Sequence, residues 1–142
     1  MSESIEYRIV GPSDYAAMHV LMNQFRSNSP FTQAEYEEFL RSTASYMQIW
    51  GLFLSGELVA TAKLIFEPKL IFKMATLAHI EDVCTLERHR KKGYGTLFLK
   101  HIIQVAKQAN CYKITLCCSQ PLSEFYGASG FETRGVQMSQ LL

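Results

Sequence analysis

Residues 77–118 most constrain the fold of this chain, because they contain two strand patterns separated by one helix pattern. Segments 77–85 and 111–118 are rich in apolar and β-branched residues, as buried strands are. Between them, apolar side chains recur at helical spacing over residues 94–109. We therefore predict a βαβ unit in which the two strands are parallel neighbours joined by a right-handed crossover.

The N-terminal third of the chain carries helix start signals. Ser13 follows Gly11-Pro12 and is a plausible N-cap for a helix over residues 14–25. Thr32 and Glu35 have the spacing of a capping box, in which each side chain binds a first-turn amide of the same helix. A second helix is therefore predicted from Thr32 to about residue 44.

The remaining patterns predict an antiparallel meander and a closing strand. Strands are predicted over residues 5–10, 46–54 and 58–66, the last two joined by a hairpin turn at Ser55-Gly56-Glu57. A short helix near 123–129 and a last strand near 131–139 follow the βαβ unit. A chain of 142 residues has the size of one domain. We predict a single domain over residues 1–142, of the α+β class, with a twisted mixed sheet flanked by helices.

Charge and hydropathy exclude two classes of partner. The formal net charge is +1 and charged residues make up 19% of the chain. A protein that binds nucleic acid through its phosphates carries a broader basic excess, so no nucleic-acid partner is predicted. Charged residues interrupt every apolar stretch before the roughly 18 residues that span a bilayer, so no membrane segment is predicted.

The cysteines and histidines show no metal-binding spacing. Cys84, Cys111, Cys117 and Cys118 contain no CxxC pair, and the four histidines are scattered. Cysteines in apolar strands are usually inert small side chains, which predicts reduced, buried thiols. The polar N-terminal sequence has no signal-peptide pattern. These observations predict a cytoplasmic protein without a metal.

A basic loop lies directly before the helix of the βαβ unit. Arg88, Arg90, Lys91 and Lys92 precede a Gly-x-Gly at Gly93 and Gly95. Glycines let the backbone approach a ligand closely, and unpaired amides at a helix N-terminus attract anions. The loop therefore predicts a pyrophosphate site, although a basic loop before a helix is often only a solvated cap.

The loop and its surroundings resemble one enzyme family. Arg90 to Gly95 is similar to the Arg/Gln-x-x-Gly-x-Gly/Ala motif of the GNAT acetyltransferases, in which it holds the pyrophosphate of acetyl-CoA. The segments HIEDV, CYKI, EFYGASGF and GVQM follow one another as in the eukaryotic-type glucosamine-6-phosphate N-acetyltransferases. The resemblance covers about residues 58–138. It implies the GNAT fold and acetyl-CoA as co-substrate.

The resemblance also implies which residues form the site. Backbone groups of Val83, Cys84 and Thr85 would bind the pantetheine arm. The pyrophosphate would be held by Arg90, Lys91, Lys92, Gly93, Tyr94, Gly95 and Thr96. Tyr126, Gly127 and Ala128 would line the thioester end, and the sugar phosphate would be bound by Lys69, Glu81, Asp82 and Lys113.

Two catalytic roles are predicted, each with a structural alternative. Glu81 is expected to accept the proton of the amine, directly or through a water. Strict alternation would place Glu81 and Asp82 on opposite faces of their strand, and the structural alternative is that one is a buried acceptor and the other faces solvent. Tyr126 is expected to protonate or hydrogen-bond the departing thiolate, but without the resemblance it would be read as a core aromatic.

Three departures from the family pattern keep the acceptor open. Cys117, Leu122 and Leu141 stand where the family has Asp, Asn and Arg, and Arg26 to Ser29 are candidates to rebuild a phosphate site. The predicted function is acetylation of glucosamine 6-phosphate in the UDP-N-acetylglucosamine precursor pathway. The alternatives are acetylation of another amine, such as a different amino sugar, a polyamine or a protein lysine, or a non-catalytic CoA-binding module. Family members pair through their C-terminal strands, which implies a homodimer.

Overall fold

The computed structural model describes residues 2–142, which form one sheet flanked by helices. The strands are β1 (Ile5–Ile9), β2 (Met47–Leu54), β3 (Glu57–Pro68), β4 (Thr76–Thr85) and β5 (Cys111–Leu116). The helices are α1 (Tyr15–Phe25), α2 (Gln33–Thr43), α3 (Ile71–Met74), α4 (Tyr94–Gln108) and α5 (Ser123–Gly127). Short 3₁₀ turns lie at Pro12–Asp14, Glu87–His89 and Gln120–Leu122.

The sheet is a mixed one in the order β1-β2-β3-β4-β5. The first four strands pair antiparallel, and β5 pairs parallel to β4 after the crossover through α4. The predicted meander and βαβ unit are confirmed, and so is the fold class. No helix of residues 2–142 has the length and apolar character needed to cross a membrane.

The helix starts differ in how well the sequence predicts them. The capping box of α2 is confirmed, since the Glu35 amide donates to the Thr32 hydroxyl over 3.1 Å and the Thr32 amide donates to the Glu35 carboxylate over 2.7 Å. Helix α1 is instead preceded by a 3₁₀ turn, and its N-cap is Asp14. The Asp14 carboxylate accepts hydrogen bonds from Arg8 and from the Gly11 amide. The prediction of Ser13 as N-cap was therefore wrong.

The core occupies both faces of the sheet. On one face, Met18 and Leu21 of α1 and Tyr36 of α2 pack against the strands; on the other, Phe98 and Ile102 of α4 are buried. Side chains of a strand alternate between these faces. We call them the α1/α2 face and the α4 face.

Two predictions fail near the C-terminus. Residues 131–142 form no strand within one chain, and Val136, Met138, Leu141 and Leu142 are exposed. The thiols of Cys117 and Cys118 are also exposed, because β5 ends at Leu116 before reaching them. Only Cys84 is fully buried, and none of the four cysteines forms a disulfide.

Candidate active site

Strands β4 and β5 separate part-way along the sheet. Their parallel pairing ends at Ile80 and Leu116, whereas β4 continues to Thr85. The edge of β4 that faces β5 is therefore unpaired over residues 81–85. Such an edge offers backbone donors and acceptors to an extended ligand.

A narrow cleft follows this edge on the α4 face. It is lined by Val83 and Thr85 of β4, Gly95 of α4, and Phe125 and Tyr126 of α5. Cys84 points to the opposite face, where its thiol lies 3.7 Å from the Leu21 carbonyl oxygen. The structure thus brings Val83, Thr85, Gly95 and Tyr126 together as the sequence predicts, and leaves only backbone groups of Cys84 available to a ligand.

Tyr126 is a buried residue in the wall of this cleft. It is 8% exposed, and its ring makes edge contacts with Phe125 and Phe131 at centroid distances of 5.0 and 6.0 Å. Burial raises the pKa of the hydroxyl, with a smaller contribution from Cys118. The hydroxyl therefore keeps its proton at neutral pH. Gly127 and Ala128 follow on the exposed end of α5.

The basic loop divides into occupied and exposed side chains. Arg88 forms an ion pair with Glu57, and the Arg90 guanidinium donates to the Thr85 carbonyl oxygen over 3.1 Å. Lys91 and Lys92 are exposed and form no ion pair with residues 2–142. Arg88 and Arg90 therefore hold the loop in place, whereas Lys91 and Lys92 are available to an anion.

Gly93 determines how the loop enters helix α4. It is the N-cap of α4 with a left-handed φ of 87°, a value that favours glycine. A Cβ at this position would meet no protein atom within 4 Å. The amides of the first turn, including those of Gly95 and Thr96, follow Gly93 and have no partner inside the helix. This geometry suits a pyrophosphate.

One residue that holds the loop was missed by sequence reasoning. Gln24 of α1 donates to the Thr85 carbonyl oxygen over 3.0 Å and accepts from the Glu87 amide over 2.9 Å. It therefore ties the end of β4 to the start of the basic loop. Gln24 and Thr85 are separated by 61 residues in the chain, and no sequence motif connects them.

We expect Gln24→Leu to raise the KM for acetyl-CoA by about tenfold and to change kcat by less than about twofold. The reason is that each lost hydrogen bond destabilises the ligand-binding conformation of the loop by about 0.5–1.5 kcal/mol. A change of about 1.4 kcal/mol in binding free energy corresponds to a factor of ten. Steady-state kinetics with acetyl-CoA as the varied substrate measure this effect.

Asn23→Leu is the matched control for that variant. Asn23 is the preceding residue of α1, and its side-chain amide binds backbone groups of His19 and Ser29 instead of the basic loop. It should leave the KM for acetyl-CoA unchanged. An equal rise in both variants would show that the effect comes from general loosening of α1.

A β-bulge in β4 corrects the predicted placement of the two carboxylates. Ala62 of β3 faces both Asp82 and Val83, and Asp82 has a left-handed φ of 51°. Glu81 is the register partner of Lys63, and the Asp82 carboxylate lies 2.8 Å from the Lys63 ammonium nitrogen. Glu81 and Asp82 therefore share the α1/α2 face. The prediction of opposite faces was wrong, because the extra residue of a bulge interrupts alternation.

A second cluster of polar side chains lies further along the α1/α2 face. The Glu67 carboxylate binds the Lys69 ammonium and the His79 Nε2 atom, each over 2.7 Å. The hydrogen bond from Lys69 lowers the pKa of Glu67, with His79 as the second cause. Lys69 is therefore already paired, and its charge is largely balanced by Glu67.

The predicted substrate residues do not meet at one point. Lys113 of β5 is the register partner of Leu77 of β4. Leu77 lies four residues before Glu81 on the same strand. At the usual rise per residue this separation is roughly 13 Å. Lys69 and Lys113 thus lie toward one end of the face, and Glu81 and Asp82 lie at the other, beside the unpaired edge. Only a substrate that spans most of this distance, or movement of the lysine side chains, would connect the two groups.

Comparison with known proteins identifies the family of this chain. The model of the Acetyltransferase (GNAT) family matches residues 15–131. The chain belongs to the GNAT family. It is an acetyl-CoA-dependent N-acetyltransferase, as its motif predicts.

Several similar proteins share one name within the GNAT family. The Dictyostelium discoideum protein named glucosamine 6-phosphate N-acetyltransferase 1 is 26% identical, over 98% of this chain and 92% of its own. The Arabidopsis thaliana enzyme named glucosamine 6-phosphate N-acetyltransferase is 27% identical, over 99% of this chain and 98% of its own. A crystal structure of the glucosamine-6-phosphate N-acetyltransferase from Arabidopsis thaliana superimposes with a TM-score of 0.90, at 26% identity, covering 98% of this chain and 99% of that one.

Proposed function

We propose that this GNAT enzyme acetylates the amine of glucosamine 6-phosphate, and that it serves the formation of UDP-N-acetylglucosamine. The observation that carries the proposal is the unpaired edge of β4 with carboxylates on one face and Tyr126 on the other. The similarity of nearly the whole chain to enzymes of that name supports the choice of amino sugar.

The proposed acetyl-CoA site fits the residues present. The exposed Lys91 and Lys92 and the first-turn amides after Gly93 would hold the pyrophosphate, and the backbone of residues 83–85 would bind the pantetheine arm. The cleft itself measures only about 10 Å³, so the arm would lie along the open strand edge. Acetyl-CoA supplies the acetyl group as a thioester.

The proposed chemistry uses both faces of the sheet. The amine attacks as the free base, so a carboxylate on the α1/α2 face must take its proton, directly or through a water. Glu81 is exposed and forms no ion pair with residues 2–142, whereas Asp82 is bound to Lys63. We therefore assign the base role to Glu81. The Tyr126 hydroxyl would donate to the departing sulfur from the other face.

We expect glucosamine 6-phosphate to be acetylated with a kcat/KM about 100-fold above that of glucosamine. The phosphate would form charge-assisted hydrogen bonds to Lys113 and to a lysine or arginine near it, each contributing about 1.5–3 kcal/mol. Release of CoA thiol, measured over a concentration series of each sugar, tests this expectation.

Lys113→Met is the variant that isolates phosphate recognition. It keeps a long unbranched side chain but removes the charge, and it should lower kcat/KM for the phosphorylated sugar without changing the value for glucosamine. Equal kcat/KM for the two sugars in the unchanged enzyme would contradict the substrate assignment. The series should include other amino sugars, because Cys117 stands where the resembled family has an Asp.

A homodimer completes the proposal. Val136, Met138, Leu141 and Leu142 are exposed, and β5 is an edge strand of the sheet. An apolar tail and an open edge of this kind are aggregation-prone unless a second copy covers them. We expect a mass of two chains by light scattering, and a mass of one chain after removal of residues 136–142. A mass near 16.2 kDa for the full chain at micromolar concentration would contradict the dimer.

A further inference from the structure

His89 lies in the middle of the basic loop, but its imidazole is turned inward. The side chain is only 14% exposed, whereas those of Lys91 and Lys92 are exposed. Neither ring nitrogen of His89 is accessible to solvent or has a hydrogen-bond partner within residues 2–142. Buried polar atoms are nearly always paired, so two unpaired nitrogens in one ring require an explanation. The acetyl-CoA site and the catalytic roles proposed above make no use of this ring.

Three segments other than its own loop face the imidazole. The Glu57 carboxylate at the start of β3 lies 3.7 Å from the His89 Nε2 atom. The Tyr94 ring at the start of α4 makes an edge contact with the imidazole at a centroid distance of 6.0 Å. The Tyr94 hydroxyl in turn donates to the carboxylate of Glu3 in the N-terminal segment over 3.2 Å. His89 therefore lies where the N-terminal segment, the β2–β3 turn and the first turn of α4 meet.

The charges around His89 favour its neutral form in the free enzyme. Burial lowers the pKa of the imidazole, the positive charges of Lys92 and Arg88 lower it further, and Glu3 acts in the opposite direction. Glu57 forms an ion pair with Arg88, so the charge of this carboxylate is largely balanced. At neutral pH the ring is therefore uncharged.

A bound pyrophosphate would reverse this balance. Lys92 is one of the two lysines proposed to hold that anion, and of the two cations that disfavour protonation of His89 it has the larger effect. Phosphate oxygens beside Lys92 would offset its charge and favour the imidazolium. The Nε2–H group would then face the Glu57 carboxylate, which lies just beyond hydrogen-bond length. A short movement would give a charge-assisted hydrogen bond between the loop and the start of β3.

We propose that His89 takes up a proton from solvent when acetyl-CoA binds, and that the imidazolium then fixes the basic loop through Glu57. The inference rests on the pyrophosphate site proposed above and does not depend on which amine is acetylated. His89 is a positioning residue, since it acts on the loop and not on the thioester or the amine. The step forms one N–H bond on the imidazole and breaks no bond of either substrate.

The direction of the pH dependence follows from the two states of the ring. The bound anion raises the pKa of His89 above its value in the free enzyme, so acetyl-CoA affinity rises as the pH falls through the bound-state pKa. The gain is complete below the free-enzyme pKa. In the free enzyme the lowered pKa has the opposite consequence, because stability is lost as the pH falls through it. The stabilisation that acetyl-CoA gives should therefore be largest at mildly acidic pH.

Calorimetric titration of CoA into the unchanged enzyme and into His89→Gln tests the proton uptake. Each titration is run in two buffers of different ionisation enthalpy, neither of which contains phosphate, because phosphate would compete for the loop. The phosphate ester of CoA titrates near the same pH, so the difference between the two proteins is the quantity of interest. The unchanged enzyme should take up more protons than the variant. Its gain in affinity from about pH 8 to about pH 6 should be about fivefold larger, the lower end of typical coupling.

His101→Gln is the matched control. His101 is a second buried histidine, and burial lowers its pKa as well, but its ring packs on Tyr7 and Trp50 instead of the basic loop. This variant should keep the proton uptake and the pH dependence of the unchanged enzyme. An equal loss in both variants would overturn the proposal, because the effect would then come from the removal of any buried histidine.

Imidazole ¹⁵N NMR on the unchanged protein tests the same step without a substitution. The His89 ring is assigned through its contact with the Tyr94 ring. Its nitrogen shifts should report a neutral ring in the free enzyme near neutral pH and move toward the imidazolium values as CoA is added. A ring that stays neutral in the complex, or one that is already protonated without CoA, would overturn the proposal.

The outcomes separate this inference from the function proposed above. If CoA binds with equal proton uptake in the unchanged enzyme and in a folded His89→Gln variant, the inference fails and the acetyl-CoA site stands. If CoA does not bind, the pyrophosphate assignment fails and this inference fails with it. If the proton coupling is present but glucosamine 6-phosphate is not acetylated, the sugar assignment fails and this inference stands.

Discussion

Tyr126→Phe should lower kcat by about 10²–10⁴-fold while leaving acetyl-CoA affinity and the melting temperature nearly unchanged. The phenylalanine keeps the ring that packs against Phe125 and Phe131 and removes only the hydroxyl. Loss of a positioned proton donor has an effect of that size. Because burial raises the pKa of this hydroxyl, the donor form is fully populated at neutral pH, and its loss should be felt across the neutral range.

Tyr15→Phe is the control for that substitution. The Tyr15 hydroxyl donates to the Phe31 carbonyl oxygen over 2.7 Å, away from the cleft. Removing it should cost about 0.5–1.5 kcal/mol of stability and change kcat by less than twofold. Measurement of kcat and melting temperature on the same preparations separates the two tyrosines. Wild-type kcat in a stable Tyr126→Phe variant would remove the catalytic assignment.

Gly93→Val should raise the dissociation constant of acetyl-CoA by about 5- to 150-fold. The protein leaves space for a side chain here, so the effect arises from the backbone and from the approach of the ligand. A β-branched residue at a φ of 87° is strained by about 1–3 kcal/mol, which the loop relieves by leaving the conformation that presents its amides. Calorimetric titration of acetyl-CoA measures the change.

Gly135→Val controls for the strain alone. Gly135 also has a left-handed φ, 71°, and also lacks protein atoms within 4 Å of a Cβ, but it lies far along the chain from the basic loop. It should retain the affinity of the unchanged protein. The stabilisation that acetyl-CoA gives on heating should be reduced only in the Gly93 variant. Unchanged affinity in a folded Gly93→Val variant would exclude this loop from the pyrophosphate site.

The sequence predicted most of the sheet because its strands carry their own periodicity. Strands β2 to β5 differ from the predicted segments by at most two residues at either end. The predicted last strand was wrong: residues 131–139 have a strand-like pattern, but a strand forms only where it pairs with a neighbour, and they pair with no strand of residues 2–142. Pattern alone does not reveal whether a segment has a partner strand.

The predicted site failed where it depended on register. Alternation assigned Glu81 and Asp82 to opposite faces, whereas the bulge opposite Ala62 brings both to the face of Lys63. The left-handed φ of Asp82 is imposed by the tertiary pairing of β3 with β4, so local propensity does not reveal it. Contacts such as Gln24 to Thr85 join distant segments and are equally invisible in a single sequence.

If the pantetheine arm binds as proposed, the separation of β4 from β5 leaves part of the sheet to be completed by a metabolite. Over residues 81–85 the edge of β4 lacks a partner strand, so its outward amides are open to water and to hydrogen exchange. A bound pantetheine arm would close that gap from outside the polypeptide. Local opening along this seam would then become rarer as acetyl-CoA concentration rises, and so would cleavage by proteases that require an open strand. In a cell with varying acetyl-CoA supply, the lifetime of the protein would follow the abundance of its own co-substrate.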